Sequence, residues 1–382
     1  MSMLSTKSIL CLVPLPPPIT GAALASEIVV DYLRQRHNVI TFGYQRGDLI
    51  SGKFSIKQFF RILNVGLKVI RLRVTNTPIS NVYYVISSSR WGNLRDLFLL
   101  VSLGGALRKK AVLHLHGANL NQMLAVLPKW QKLLNKILLG DVKAAIVLGN
   151  SFQHMFDGYL PQGKVKVVVN FFEPKLLIDR DDLALKYHAP DLVNLLFLSN
   201  LIFEKGYSFL LDAFLRLPAA LRNRARLDFV GNINSENEKH IFLEKIAAHK
   251  NISYHGPLTG EKKIEMFKRA HIFCLPTFFK YEGQPISIIE AYAAGCVVVT
   301  TLNGGIGDIF VDQRNGFEVE FHSSGESEFS LDIDSLEAVL RQIIDNIESY
   351  RHIAEHNRSE AVTRYQLSRF AEEVMRIVFD NE

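Results

Sequence analysis

The chain has 382 residues, enough for two domains of ordinary size, and 48% of them are apolar, so that each domain can bury a core. Cys11, Cys274 and Cys296 each lie in an apolar run without C-x-x-C pairing, which argues against a disulfide framework or a cysteine metal site. The net charge is a modest +6, and no stretch approaches the roughly 18 uninterrupted apolar residues of a membrane-spanning helix. We expect a globular protein of a reducing compartment.

The first elements predict a strand, a loop and a helix. The apolar run from Ser8 to Val13 stops at prolines and lacks a small-x-small cleavage pattern, so we interpret it as a strand and not as a signal peptide. Residues 14–21 form the loop, and residues 22–36 form an amphipathic helix. This order places Gly21 where a doubly wound sheet binds ligands. The loop has neither a Walker A nor a G-x-G-x-x-G sequence, and it also fits a helix start that needs backbone freedom.

A helix of unusual composition is predicted from Phe54 to Arg73, after a short strand at residues 39–42. Between Leu49 and Arg95 there are eight Lys and Arg residues and no Asp or Glu. Polar side chains recur in the helix at steps of three and four and form one stripe: Lys57, Arg61, Asn64, Lys68 and Arg71. The helix is either a core helix with a basic solvent edge or a helix that rests on anionic lipid. The second interpretation brings residues 53–73 to an anionic membrane surface.

Further strands are predicted at residues 81–86, 111–115, 144–148 and 165–169. His116 follows the second of these and shares one strand face with His114. A pair of this kind without a third ligand gives poor support for a metal site. On its own, His116 fits a histidine at a strand end whose hydrogen bonds are satisfied locally.

A polar, proline-bearing segment at residues 170–190 marks the domain boundary. The second half then alternates strands with helices, at residues 194–198, 227–230, 252–254 and 272–275 for the strands and 236–248 and 261–269 for the helices. Lys205 stands beside a glycine at a predicted helix start, where a lysine can meet a phosphate as a point charge. The last helix, residues 366–379, carries apolar side chains on one face.

The most informative stretch runs from Tyr281 to Thr301 and predicts a loop, a helix and a strand. Pro285 suits the helix start, because its φ is fixed and its missing N–H would be unpaired there. Gly295 suits the left-handed residue that ends a helix. Residues 296–301 are a β-branched run of the kind that is buried in a parallel sheet.

The start of this helix is a predicted anion site. The amides of Gly283, Gln284 and Ile286 lie where free donors and the helix dipole attract negative charge. Glu282 in the loop and Glu290 inside the helix bracket that point, and Glu290 stands among residues too apolar for a surface position. Because carboxylates accept hydrogen bonds from hydroxyls, the pattern indicates a ligand with phosphates and hydroxyls, such as a nucleotide sugar.

The chain resembles the retaining glycosyltransferases of family four, which have the GT-B fold. The resemblance is carried by their Glu-x7-Glu region, which stands here as E-G-Q-P-I-S-I-I-E-A-Y-A-A-G, followed by V-V-V-T-T-x-N-G-G-I. It covers nearly the whole chain and is strongest from Asn194 to Phe317. It implies an α/β GT-B fold, in which two doubly wound Rossmann-like domains face each other across a cleft: an acceptor-side domain of residues 1–170 joined by the C-terminal helix 363–382, and a nucleotide-sugar domain of residues 171–362.

The resemblance also implies roles for residues that match the family's motifs. His116 would orient the donor sugar, Glu282 would hold its hydroxyls and Lys205 would meet the diphosphate, so these three form the predicted catalytic set. Asn200 stands where the family often has an arginine, which removes one member of a two-cation clamp. The predicted donor-binding residues are Gly21, Gly231, Pro257, Leu258, Gly283, Gln284, Pro285, Ile286 and Glu290.

The favoured function is transfer of a hexose-type sugar from a nucleoside diphosphate sugar to an acceptor hydroxyl, with retention of anomeric configuration. No metal and no other cofactor is expected. From the breadth of the family and the basic helix, we expect a lipid-linked or cell-envelope glycan as the acceptor, as in lipopolysaccharide or other polysaccharide synthesis. The protein would be cytoplasmic, with peripheral contact to the inner face of the cytoplasmic membrane.

Three alternatives remain open: a GT-B sugar-nucleotide epimerase, a glycoside hydrolase and a non-catalytic partner subunit. A hydrolase also uses two carboxylates, but a raised carboxyl pKa is not expected beside an anion-binding helix start. The presence of both glutamates, Lys205 and His116 argues against a non-catalytic subunit. A nucleic-acid binder is disfavoured, because the basic helix has no accompanying stacking platform. The sequence does not identify the base, the sugar, the acceptor or the linkage.

Overall fold

The computed structural model describes residues 8–17, 20–44, 56–323 and 329–380. Contacts between its residues divide the chain into two compact units, Met1–Asn170 with Ser368–Glu382, and Phe171–Leu367. Each unit contains one six-stranded parallel sheet. The predicted α/β architecture with two doubly wound sheets is therefore confirmed.

The first unit has the strand order β2-β1-β3-β4-β5-β6. Its strands are β1 (Ser8–Val13), β2 (Asn38–Gly43), β3 (Ile79–Ile86), β4 (Ala111–Leu115), β5 (Ala144–Val147) and β6 (Val165–Val167). Its helices are α1 (Gly21–Arg34), α2 (Ile56–Val74), α3 (Arg90–Arg108), α4 (Leu120–Ala125) and α5 (Lys129–Gly140), and 3-10 helices follow at Asn150–Phe156 and Gln162–Lys164.

The second unit has the strand order β12-β11-β10-β7-β8-β9. The strands are β7 (Val193–Leu198), β8 (Ala225–Val230), β9 (Ile252–Tyr254), β10 (Ile272–Leu275), β11 (Val297–Thr300) and β12 (Gly316–Glu318), with a separate antiparallel pair, β13 (Phe321–Ser323) and β14 (Phe329–Leu331). The helices are α6 (Arg180–Lys186), α7 (Tyr207–Arg216), α8 (Ala219–Asn223), α9 (Glu236–Ala247), α10 (Gly260–Arg269), α11 (Ile286–Ala293), α12 (Ile333–Asp345) and α13 (Arg351–Arg364), and 3-10 helices lie at Pro174–Leu176, Phe203–Lys205, Gly304–Asp308 and Ile347–Tyr350. The last helix, α14 (Leu367–Phe379), lies mostly in the first unit.

The strand order decides which helices share a face of the first sheet. The chain moves one way from β1 to β2 and the other way from β2 to β5, and right-handed crossovers then place α1 on one face and α2, α3 and α5 on the other. The core agrees, because Val65 of α2, Leu100 of α3 and Leu138 of α5 belong to one buried cluster with Leu113 of β4. Helix α14 lies with α1, where His37 and Phe379 stack with ring centroids 4.4 Å apart.

The predicted strands all appear, with bounds that differ by at most two residues. The helices that were not predicted are α3, α4, α5, α6, α8, α12 and α13. In α3, Gly104 interrupts the helical backbone with a φ of +63°. Residues 54 and 55 of the predicted helix 54–73, and Lys53 of the predicted membrane-facing segment, lie outside the described residues.

A buried ion pair in α3 holds the loop that follows β3. The Arg95 guanidinium lies 2.7 Å from Asp96 Oδ1, and both side chains are almost fully buried. Asp96 also accepts hydrogen bonds from the Tyr84 hydroxyl at 2.5 Å and from the Ser87 amide at 2.8 Å. The carboxylate therefore fixes the start of the loop that follows β3, and Arg95 in turn stacks over the ring of Tyr44 at 4.1 Å.

Replacing Asp96 by Asn should lower the free energy of unfolding by about 3–5 kcal/mol, because it leaves the Arg95 charge buried without a counter-ion. The matched control is Asp31→Asn, which removes an exposed pair with Arg34 at 3.2 Å and should cost at most about 0.5 kcal/mol. Urea unfolding followed by circular dichroism measures both changes. Equal effects of the two substitutions would contradict the structural role given to Asp96.

Candidate functional site

The predicted residues of the second unit gather at the carboxyl edge of its sheet. Strands β7 and β10 are neighbours, and the chain leaves them in opposite directions, towards β8 and towards β11. Such a switch point opens a crevice beyond the strand ends, where α/β sheets bind ligands. Lys205 follows β7, and Glu282 follows β10, so both lie at this crevice.

Lys205 and Glu282 form a close ion pair. Lys205 Nζ lies 2.5 Å from Glu282 Oε2, and both side chains are largely buried. Thr277 Oγ1 donates a second hydrogen bond to the same carboxylate oxygen at 2.8 Å. Lys205 Nζ also lies 4.9 Å from the centre of the Phe279 ring. The sequence predicted both charged residues here, but it did not predict that they pair with each other.

The loop that carries Lys205 fits tightly against the loop after β10. Gly206 has a φ of +78°, and a Cβ at this position would lie 2.1 Å from the carbonyl oxygen of Pro276. The Phe278 amide donates to the carbonyl oxygen of Glu204 at 2.8 Å. Only glycine tolerates both the left-handed backbone and this approach, so the sequence Lys205-Gly206 places the lysine at the switch point.

The loop that carries Glu282 is supported from the other side by the turn after β11. Gly304 has a φ of +59°, and its Cβ would lie 2.1 Å from the carbonyl oxygen of Glu282. The Gly305 amide donates to the carbonyl oxygens of Glu282 at 3.3 Å and Gly283 at 3.2 Å. The bare backbone of this turn therefore packs directly against the Glu282 loop.

Helix α11 starts directly after this loop. Pro285 precedes its first residue, Ile286, and the Pro285 carbonyl accepts from the Ile288 amide at 3.2 Å. Gln284 is buried, whereas Gly283 is half-buried. Gly295 ends the helix with a φ of +62°, in the left-handed conformation that the sequence predicts. The loop, helix and strand predicted for residues 281–301 are present, with Val297–Thr300 as the strand.

Glu290 lies in the middle of α11 and is buried, with only 2% of its surface exposed. Its carboxylate pairs with Nζ of Lys263 in α10, whose side chain is also largely buried. Burial raises the pKa of Glu290, and the charge of Lys263 offsets part of that rise. The expectation that neither carboxyl at this helix would have a raised pKa is therefore wrong for Glu290. The helix dipole acts within the first turn, and Glu290 is the fifth residue of the helix, where burial dominates.

Lys263 was not identified from the sequence. It stands beside Lys262 in a strongly charged segment, E-K-K-I-E, which is typical of a solvent-exposed helix surface. Lys263 and Glu290 are 27 positions apart, and only the packing of α10 on α11 brings them together. No local pattern in the sequence distinguishes Lys263 from its neighbour.

Gly231 and the segment 256–258 end the two neighbouring strands β8 and β9. The Gly231 amide donates to the carbonyl oxygen of Gly256 at 3.0 Å, and its own carbonyl accepts from the Tyr254 hydroxyl at 3.0 Å. Pro257 is exposed and Leu258 is half-buried. These hydrogen bonds hold the two strand-end loops together beside the switch point.

The two remaining predicted residues lie in the first unit. Gly21 is the first residue of α1, directly after Thr20, whose hydroxyl caps the helix by accepting from the Ala23 amide at 3.2 Å. His116 follows β4, and its ring stacks on that of His114 with centroids 4.1 Å apart. His114 is hydrogen-bonded to the Tyr83 hydroxyl at 2.7 Å, and burial lowers its pKa to about 3, so His116 rests on a neutral imidazole.

Neither histidine is part of a metal cluster. Across the residues that the structure describes, no three His, Cys, Asp or Glu side chains are arranged to hold an ion. All three cysteines are free and buried, as the sequence predicts.

Comparison with known proteins agrees with the architecture of both units. Residues 188–360 match the family of glycosyl transferases group 1. The uncharacterized glycosyltransferase MJ1607 of Methanocaldococcus jannaschii is 26% identical over 171 residues. That match spans 42% of this chain and 42% of the length of the relative.

Solved structures resemble nearly the whole chain. Anabaena HepE, in complex with UDP and glucose, has a TM-score of 0.66 at 16% identity, over 97% of this chain and 98% of that one. WaaG, a glycosyltransferase involved in lipopolysaccharide biosynthesis, has a TM-score of 0.68 at 15% identity, over 98% and 100%. A Rickettsia africae glycosyltransferase has a TM-score of 0.67 at 20% identity, over 99% and 100%. At these identities the likeness is one of fold. Residues 188–360 are thus similar to the glycosyl transferases group 1, and the chain that contains them has the fold of GT-B glycosyltransferases.

Proposed function

We propose that the protein transfers a sugar from a nucleoside diphosphate sugar to a hydroxyl of an acceptor, with retention of anomeric configuration. The observation that carries the proposal is the Lys205–Glu282 pair at the switch point, beside the start of α11. A lysine and helix amides suit a diphosphate, and a carboxylate suits sugar hydroxyls. The complex of Anabaena HepE with UDP and glucose supports a donor of this class.

Each residue then has a definite task. Lys205 and the amides at the start of α11 stabilise the negative charge that develops on the leaving diphosphate, which is work that a metal ion could otherwise perform. Glu282 holds hydroxyls of the donor sugar, and His116 orients that sugar. Glu290 accepts hydrogen bonds from hydroxyls elsewhere on the donor. Attack and departure take place on the same face of the sugar, so Glu282 is not assigned as a covalent nucleophile.

For the acceptor we propose a lipid-linked or cell-envelope glycan. The basic stripe of α2 supports this choice, because such acceptors lie at an anionic membrane surface. The fold shared with WaaG, which is involved in lipopolysaccharide biosynthesis, is consistent with it.

Donor binding should depend on Glu290 and Lys205. Glu290→Gln should weaken the binding of the nucleoside diphosphate sugar by about 1–3 kcal/mol, the scale of a lost hydrogen bond to a charged group. Lys205→Ala should weaken it as well, because the diphosphate loses a cation. Titration calorimetry against a panel of nucleoside diphosphate sugars, first screened by thermal shift, measures both effects. The control is Glu265→Gln, which alters an exposed carboxylate of α10. Full donor affinity in both site variants would remove the proposed site.

Lys263→Met should change how stability depends on pH. Without the lysine, the buried Glu290 carboxyl should have a still higher pKa in the folded state, whereas its pKa in the unfolded chain stays ordinary. The unfolded state then releases its proton first as the pH rises, so stability falls through the window between the two pKa values. The variant should lose more stability than the wild type between mildly acidic and mildly alkaline pH, as measured by urea unfolding. Lys262→Met, on the exposed side of the same helix, is the control, and identical pH profiles for Lys263→Met and the wild type would contradict the pairing.

Substitutions at Glu282 and His116 should affect turnover more than donor affinity. Glu282→Ala and His116→Ala should each lower kcat more than they weaken donor binding, because both groups act on the sugar as it reacts. Nuclear magnetic resonance of the product should show the anomeric configuration of the donor, and a chelator should leave the activity unchanged. An inverted product, or activity that a chelator abolishes and manganese restores, would overturn this mechanism.

The same assay separates transfer from the alternatives. A transferase releases free nucleoside diphosphate only when acceptor is present. An epimerase and a hydrolase act without an acceptor, and a non-catalytic subunit does not release the nucleotide at all.

A further inference from the structure

The exposed apolar side chains are concentrated in the first unit. In the described part of the chain, 22 large apolar side chains are exposed, and 14 of them lie between Ile56 and Ile137. Both tryptophans of the chain, Trp91 and Trp130, are among them, and each is 57% exposed. Isolated exposed apolar residues are normal, but a concentration of this kind marks an interaction surface.

Helix α2 presents two different stripes to solvent. Its core face is small and consists of Val65, Gly66 and Val69. A second apolar stripe, on the side away from the sheet, contains Ile56, Phe60, Leu67, Ile70 and Val74 at steps of three, four and seven. The basic stripe of Lys57, Arg61, Lys68 and Arg71 lies between these two faces. A core helix with a basic solvent edge accounts for only one of the two apolar faces.

Helix α5 repeats this arrangement. Its exposed apolar stripe contains Trp130, Leu133, Leu134 and Ile137, and its lysines, Lys129, Lys132 and Lys136, lie beside that stripe. Its opposite side is buried. There, the Asn135 side chain exchanges hydrogen bonds with Asn93 of α3 at 2.8 and 3.0 Å, which fixes the helix with its apolar stripe outward.

Helix α3 joins the two. It packs against both α2 and α5, and the three helices cover the same face of the sheet. Trp91, Leu94 and Val101 form its exposed stripe, and Arg90 stands next to Trp91. The outward face of α2, α3 and α5 is therefore one continuous surface, which we call the three-helix face.

The segment that carries the three-helix face is strongly basic. Between Leu49 and Gly140 there are 14 Lys and Arg residues and a single acidic residue, Asp96. Asp96 is buried and paired with Arg95, and Arg108 of α3 pairs with Asp141, so the basic excess comes from the other lysines and arginines. A partner of this face must offer negative charge together with a place for aromatic and aliphatic side chains.

We propose that the three-helix face docks on the surface of an anionic lipid bilayer. Trp91 and Trp130 would enter the headgroup layer, where tryptophan is enriched, and the lysines and arginines beside the apolar stripes would meet lipid phosphates. An acidic protein would leave so many apolar side chains without a matching surface, and a nucleic acid offers them no apolar layer. None of the helices among the described residues combines the length and apolar character needed to cross a bilayer, so this contact lies at the membrane surface. The proposal rests on the proposed function, because a lipid-linked acceptor gives the membrane contact its purpose. It extends that contact from α2 to α3 and α5.

The test is sedimentation of the full chain with phosphatidylcholine vesicles that contain or lack phosphatidylglycerol. We expect salt-sensitive binding to the anionic vesicles alone, with a blue shift of tryptophan emission. Combining Trp130→Ser, Leu133→Ser and Ile137→Ser on α5 should weaken binding by about tenfold or more at physiological salt. Combining Lys57→Glu, Arg61→Glu and Lys68→Glu on α2 should release the protein from the vesicles. The control is Ile241→Ser with Leu243→Ser, which removes exposed apolar side chains from α9 in the second unit and should change nothing.

Several results would overturn the proposal. If the α5 variant bound vesicles as well as the wild type does, α2 alone would contact the membrane. If the wild type formed a concentration-dependent dimer and the α5 changes abolished it, the face would be an interface between copies of the chain. If the α5 variant does not fold, as judged by circular dichroism, Trp91→Phe leaves Trp130 as the single reporter. Absence of quenching of Trp130 by brominated lipid would then exclude its insertion. Transfer to a water-soluble acceptor by the α5 variant tests the proposed chemistry separately, because that assay needs no membrane.

Discussion

The second unit depends on a pair of opposite charges held out of water at the switch point of its sheet. Burying Lys205 and Glu282 has a large desolvation cost, which is offset only when the geometry is close and further hydrogen bonds are made. Both conditions are met, by the 2.5 Å contact and by the hydroxyl of Thr277. Removing one partner of such a pair typically costs about 3–5 kcal/mol, so the loops that carry it are constrained to keep it together. At Gly206 and Gly304 the backbone packs so closely against a neighbouring loop that no side chain would fit, which keeps the loops in place.

The second glutamate of the motif is also buried and paired with a lysine, but with a different one. Glu290 pairs with Lys263, so each carboxylate has a cation supplied by an element distant in the sequence. The paired site is close to neutral, which limits the attraction that the two lysines alone can exert on a diphosphate. Hydroxyl groups that bind to Glu282 would compete with Lys205 for that carboxylate and free the lysine for phosphate. With exposed Asn200 in place of a second cation, this exchange and the amides at the start of α11 would supply the interactions with the diphosphate.

The sequence predicted the elements and the charged residues of the site, because both leave local patterns. Runs of β-branched residues located the buried strands, and Pro285 and Gly295 located α11. The pairing of Lys205 with Glu282, 77 positions away, and that of Lys263 with Glu290 leave no local pattern, since they arise from packing. Helix α3 was not predicted, because apolar side chains lie on both its buried and its exposed side and leave no clear helical period. The helix dipole predicts no rise in the pKa of Glu290, but the dipole acts within the first turn, and at Glu290 burial raises the pKa.

The modest net charge of the chain conceals a strong segregation. Outside residues 49–140, the chain carries 30 Lys and Arg against 37 Asp and Glu, so that a basic segment belongs to an otherwise acidic protein. An anionic surface would attract the three-helix face and repel the rest, which makes the approach orientationally selective before any apolar side chain makes contact. Charge alone would hold the chain loosely and only at low salt, because screening limits its reach to about 8 Å at physiological ionic strength. The exposed tryptophans and leucines act at shorter range and do not depend on salt. On the same three helices, the basic side chains thus orient the approach at long range, and the apolar side chains attach the protein at short range.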